Sequence, residues 1–182
     1  MAINNGDITL APNADLVTPA DKMITAIIKR DFHTWTGIPA NFLYDDFCSN
    51  FPATHDNYGL GRLGRYNEES YYRKHTIEGY GLSAQTWYVG DDIRLIELHF
   101  PQLTNTAPEL RNCLGEPAIE IDYHLDIALI SKGAWLYPEQ GIGLFTDHPG
   151  LNIMKIYLFH PCTLKHYLDV IHVDAEMEEL PE

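Results

Sequence analysis

The chain contains no apolar run approaching the ~18 residues of a membrane-crossing helix, which argues against a helical span anywhere in its 182 residues. Basic residues are scarce: 12 Lys and Arg stand against 26 Asp and Glu, a net charge of −14. Phosphate backbones are gripped by basic patches, so direct nucleic-acid binding is not expected. Cysteine is also sparse. Cys48, Cys113 and Cys162 are odd in number, widely spaced and free of any CxxC pair, which argues for free thiols in a reducing compartment rather than a disulfide framework. The start, Met1-Ala2-Ile3-Asn4-Asn5-Gly6-Asp7, has neither a basic n-region nor an apolar h-region. A secretory leader is therefore not expected, and a cytoplasmic location is.

What is present is an ordinary globular balance, 45% hydrophobic and 21% charged residues, enough for one core or two small cores sharing an interface. The acid excess is uneven: 13 acids against 8 bases in residues 1–100, and 13 against 4 in residues 101–182. Such a field draws basic partners and speeds encounter with them, although it also serves simple solubility.

Hydrophobic periodicity predicts a helix over 19–31, entered through Thr18-Pro19-Ala20-Asp21, with Met23, Ile24, Ile27 and Ile28 facing the core. A second short helix is expected over 41–50, burying Phe42, Leu43, Phe47 and Cys48. Residues 53–66, rich in Asn, Gly and Asp, read as loop. Strands are predicted at 70–77, 82–89 and 93–100, then a polar seam at 101–108. A short helix at 109–114 is stopped by Gly115 and Pro117. Further strands are expected at 119–130, 134–137, 141–146 and 152–159. A final helix at 163–173 should turn Leu164, Leu168 and Ile171 inward and His166 and Asp169 outward.

One phrase occurs twice. Gly79-Tyr80-Gly81-Leu82 leads into Ile93-x-x-Ile96-x-Leu98-x-x-Pro101, and Gly141-Ile142-Gly143-Leu144 leads into Ile153-x-x-Ile156-x-Leu158-x-x-Pro161. The recurrence predicts a duplicated unit. The fold expected is α+β in two tandem units, 1–103 and 104–182, or the two merged in one compact domain. Each has short helices, then a three- to four-stranded antiparallel sheet, with a C-terminal helix after the second.

Several motifs could carry chemistry. Gly59-Leu60-Gly61-Arg62-Leu63-Gly64 is a literal GxGxxG, but it lacks the strand before and helix after that would bring a helix N-terminus to a pyrophosphate, so it reads as a turned loop. His160, Cys162 and His166 are soft-ligand residue types, and a thiol near a helix N-terminus can have a lowered pKa; metal or nucleophilic chemistry is a minor reading there. Glu120, Asp122, His124 and Asp126 share one face of a strand at period two. That face suits a basic partner, a cation or acid–base work, and equally the solvated side of an amphipathic strand. Trp135 and Tyr137 are candidate interface anchors beside it. No motif asks for a cofactor, and none is expected.

The helix ending Leu114-Gly115-x-Pro117, the run Ala134-Trp135-x-Tyr137-x-x-x-Gly141 and Ile153-x-x-Ile156 together resemble small bacterial proteins of the β-lactamase-inhibitor type, which are tandem helix-plus-antiparallel-sheet repeats. The acidic, aromatic-rich chain is also similar to immunity proteins of bacterial polymorphic toxin systems. The function expected from charge and resemblance is non-enzymatic binding of a basic protein partner, an inhibitor that occludes a toxin enzyme through Glu120, Asp122, His124, Asp126, Trp135 and Tyr137. The alternatives are a small metal-binding protein or hydrolase, and an acidic mimic of nucleic acid.

Overall fold

The computed structural model describes residues 19–31, 37–39, 41–66, 68–77, 82–104, 106–122, 133–147 and 150–172. The fold is α+β and mostly sheet. Helices α1 (Pro19–Lys29) and α2 (Tyr44–Asn50) precede four strands, β1 (Ala53–Leu63), β2 (Glu68–Ile77), β3 (Leu82–Val89) and β4 (Asp92–Leu103). Helix α3 (Ala107–Leu114) leads to β5 (Ile119–Asp122), β6 (Gly133–Tyr137), β7 (Ile142–Thr146) and β8 (Ile153–Leu158), and the short α4 (Leu164–His166) runs into a π-helical turn, Tyr167–Ile171. None of the described helices is long and apolar enough to cross a membrane.

Instead of two separate sheets there is one, ordered β1-β2-β3-β4-β8-β7-β6-β5, with every neighbouring pair antiparallel. Two four-stranded meanders meet where β4 pairs with β8. The twice-used phrase lies at that seam: Ile96 faces Leu158 and Leu98 faces Ile156, on either side of the Glu97–Tyr157 pair. Short apolar side chains at these positions let the two central strands share one core.

Helices α1, α2 and α3 cover one face. Met23 and Ile27, Phe47, and Ala107 and Leu110 pack with Ile96, Leu98, Leu144, Ile156 and Leu158. Pro19 begins α1, with Asp21 in its first turn and Lys29 in its last, each favourably placed in the helix dipole. Ile28 lies outside the expected buried stripe, 40% exposed, as does Leu43. Leu43 precedes α2, and its backbone bridges to Asp92 at the start of β4, leaving Phe42 and Phe47 to fill the core. The second face is covered where the π-helical turn lays Tyr167 and Ile171 against Leu63, Trp87, Leu95, Leu136 and Phe145. Central strands are thus buried on both sides, and β7 is buried at every position, which accounts for the weak alternation in its sequence.

Three sequence expectations fail for non-local reasons. Residues 53–63 form an edge strand rather than a loop. A Cβ on Gly59 would sit 2.5 Å from the Tyr72 ring, and one on Gly61 2.6 Å from the Trp87 ring; the glycines make room for cross-strand aromatics that supply the burial they cannot. Gly64 has φ +69, and its amide donates to His172 O at 2.7 Å, so the third glycine admits the C-terminal backbone. Strand β4 continues through Pro101 to Leu103, with a register shift against β8 between His99 and Leu103, the kind of irregularity that tolerates a residue without an amide donor. Finally, the π-helical turn changes the phase of the last segment. Asp169, expected outward, is 7% exposed and accepts from Lys165, while Leu164 and Leu168 are only half-buried.

Candidate functional site

Glu120 lies on β5 directly opposite Trp135 on β6. Helix α3 places Arg111 above them: its guanidinium donates to Glu120 Oε1 and Oε2 at 3.0 Å each and to Glu116 Oε2 at 2.9 Å. The same guanidinium sits 5.0 Å over the Trp135 ring, and the indole N–H donates to Glu120 Oε1 at 2.9 Å. The Arg111 hydrogen bonds hold the Glu120 carboxyl below its ordinary range. Trp135 and Tyr137 are buried on the helix-covered face; the Tyr137 hydroxyl donates to Gly115 O at 3.2 Å, and burial pushes its pKa up to about 12. These rings are core, and the acid at 120 is engaged within the chain. Asp122 pairs through its backbone with Gly133, but its side chain, His124 and Asp126 lie outside the described residues.

His160, Cys162 and His166 do not converge. The exposed His160 ring lies 4.8 Å from the Phe42 ring. Cys162 is half-buried, with its amide donating to Pro138 O at 2.9 Å. Burial pushes its thiol pKa up, the reverse of the lowered value expected beside a helix N-terminus. Thr163 caps that short helix, accepting from the His166 amide at 3.2 Å, and the His166 side chain is exposed. Among the described residues, no group of three or more His, Cys, Asp or Glu could hold a metal.

Two surfaces passed over in the sequence are better built. The first is on the helix-covered face at its uncovered β1 margin. Tyr58 is 70% exposed, Leu60 54% and Tyr71 55%. Leu60 faces Tyr71 and Tyr58 faces Arg73, whose guanidinium lies 6.0 Å over the Tyr58 ring. The row continues inward: Tyr71 lies 5.9 Å from Tyr88, which stacks on Tyr44 at 3.8 Å. Burial raises the Tyr44 hydroxyl well above its ordinary pKa. Carboxylates lie beside the row: Glu69 on the same face of β2 as Tyr71, Asp45 and Asp46 in the first turn of α2, and Asp91 at the β3–β4 turn, whose carbonyl accepts from the Tyr44 amide. Among the described residues, no strand pairs with the outer edge of β1.

The second surface lies on the opposite face of the central strands. Register places Ser83, His99, Lys155 and Phe145 in one row across β3, β4, β8 and β7, and Gln85, Glu97, Tyr157 and Gly143 in the next. Glu97 is 5% exposed; its Oε1 accepts the Trp87 indole N–H at 2.5 Å and its Oε2 lies 3.4 Å from His99 Nε2. Lys155 Nζ donates to the Tyr157 hydroxyl at 3.0 Å and lies 4.1 Å over the Phe145 ring. The sequence did carry a signal for this array. Glu97 and Tyr157 occupy the variable position between the constant Ile and Leu of the repeated phrase, and His99 and Lys155 occupy two of its other variable positions.

Searches of protein-family models, curated proteins and solved structures find no match to this chain.

Proposed function

We propose that this chain is a non-enzymatic protein-binding inhibitor, an immunity-type protein of the bacterial cytoplasm that caps a basic toxin enzyme by occlusion. The observation that carries the reading is the exposed Tyr58–Leu60–Tyr71 row, with Glu69 on the same face of β2 and Asp45, Asp46 and Asp91 at the end where Tyr44 and Tyr88 stack. Tyrosine and leucine offer contact area at low entropic cost, tyrosine faces accept cationic groups, and the carboxylates receive Arg and Lys. The net charge of −14 steers such a partner toward the chain. This reading moves the contact surface away from Glu120 and Trp135, whose polar atoms bond to each other and to Arg111.

In the same proposal, the two meanders descend from one duplicated helix-plus-sheet unit, joined back to back through the strands that carry the repeated phrase. The resemblance to tandem β-lactamase-inhibitor-type repeats belongs to this part of the reading.

Affinity capture from the native cells tests the function. The tagged chain should retain a basic protein at low salt and release it as salt rises. The double variant Tyr58→Ala/Tyr71→Ala should retain at least tenfold less, since interface anchors are each worth about 2 kcal/mol or more. Absence of any basic protein, or equal retention by the double variant, overturns the reading.

A further inference from the structure

We propose that the Ser83–His99–Lys155 row is a binding site for an oxyanion, the carboxylate or phosphate group of a small molecule. It lies on the face opposite the tyrosine row and does not rest on the protein-partner reading. The central strands of this sheet are apolar on the helix-covered side, where Ala84, Ile96, Leu98, Ile156 and Leu158 form core. On the other side, the same three strands present Ser83, Gln85, Glu97, His99, Lys155 and Tyr157 in adjacent register. Polar and ionisable groups at the centre of a sheet cost stability unless paired, so six together are a concentration that packing alone does not call for.

The charges within the array are unequal. Glu97 is held by the Trp87 indole and lies at ion-pair distance from His99. Glu97 is thus taken up by the Trp87 indole and the His99 ring, so among the described residues the Lys155 ammonium has no carboxylate at ion-pair distance, and an oxyanion would supply that contact. Its position is set in advance: the ammonium is held over the Phe145 and Tyr157 rings, 4.1 and 4.6 Å from their centroids, and anchored on the Tyr157 hydroxyl. A pre-positioned cation gives up little freedom on binding. The row is open to solvent as well. Ser83 and Lys155 are half-exposed, and the His99 side chain is 32% exposed. The Lys155 ammonium, a His99 ring N–H and the Ser83 hydroxyl are donors of the kind that charge-assisted recognition of an oxyanion uses.

The test is a nuclear magnetic resonance titration of the full chain at constant ionic strength, with inorganic phosphate, acetate and chloride in separate arms. Saturable shifts at Ser83, His99 and Lys155 are expected with phosphate, acetate or both, and not with chloride; which of the two saturates assigns the ligand to phosphate or to carboxylate chemistry. Lys155→Met should weaken binding at least about tenfold, while Lys74→Met, an exposed lysine on β2, leaves it unchanged. Should Lys155→Met fail to fold, His99→Gln carries the same comparison. No saturable shift with either oxyanion, shifts centred elsewhere, or undiminished binding by the Lys155 or His99 variant overturns the proposal.

Discussion

Trp135 donates its indole N–H to Glu120 across the β5–β6 pair, 2.9 Å from nitrogen to Oε1, and Arg111 closes the arrangement from above. A strand face that reads as an acidic docking surface holds, at this position, a clamp between α3 and the sheet, with the Glu120 side chain 51% exposed.

Glu120→Ala removes the acceptor of a part-buried indole N–H as well as the pair with Arg111. The orphaned donor costs about 1–3 kcal/mol, whereas a half-exposed ion pair contributes about 0–1 kcal/mol. Glu120→Gln keeps an acceptor oxygen and should cost less than Glu120→Ala. Urea unfolding of both variants checks this. Equal losses would show that charge, not the indole bond, matters, and weakened partner capture by Glu120→Gln would return the interface to this face.

The glycines of the 59–64 motif should tolerate substitution poorly, in a way set by what faces them. Gly64→Ala places a Cβ 2.1 Å from Asp169 O at φ +69 and should cost more than about 3 kcal/mol, or prevent folding. Gly61→Ala meets the Trp87 ring at 2.6 Å and should cost about 1–3 kcal/mol. Gly90→Ala has φ +61 but open space, so only the backbone cost of about 1 kcal/mol applies. Chemical denaturation midpoints give the ranking, and a Gly64 variant as stable as the Gly90 variant would contradict the close docking of the C-terminal turn.

His75 is 1% exposed, with Nδ1 2.9 Å from Phe51 O and Nε2 3.0 Å from Thr86 Oγ1. A carbonyl can only accept, so Nδ1 carries a proton, and in the neutral ring Nε2 accepts from the Thr86 hydroxyl, whose proton Arg73 O shares at 3.4 Å. Burial lowers the pKa below the ordinary 6.5. The unfolded chain therefore takes up a proton before the native one does, and stability falls as pH drops below about 6.5, by at most about 1.4 kcal/mol per pH unit. Melting temperature measured from pH 7 to pH 5 should decline in the wild type and decline less in His75→Gln. Parallel slopes would assign the acid sensitivity to other groups.

Thiol reactivity should follow exposure and burial. Cys113 is exposed, whereas Cys162 is half-buried with its thiol pKa pushed up. Limited iodoacetamide at neutral pH should therefore alkylate Cys113 well before Cys162, read by peptide mass mapping. Faster labelling at Cys162 would restore a nucleophilic reading of that cysteine.

Local signals were legible wherever local physics dominates. Pro19, Asp21 and the Met23–Ile24–Ile27 spacing define α1, and Gly115 at φ +85 ends α3 where the sequence places a stop. Strands β2 and β3 fall where β-branched and aromatic residues cluster. Strand β1 was illegible because Gly59 and Gly61 look like turn residues until Tyr72 and Trp87 are placed over them. Asp169 was misplaced because no sequence pattern announces a π-helical turn. The aromatic row at Tyr58 and Tyr71 and the polar row at His99 and Lys155 are each assembled from residues on different strands, and strand register is not written in any single segment.

The sequence by itself determined the charge, the helix starts and stops, the α+β character and the apolar frame repeated in β4 and β8. Those properties depend on residues adjacent along the chain or on simple summation. Only the tertiary structure decided that the strands form one sheet, that Glu120 bonds to Arg111 and Trp135, and that Glu97 meets His99 in the register row beside Lys155 on the face opposite the helices. Each of these depends on which strands lie side by side, and that is settled by burying two apolar faces at once rather than by any local preference.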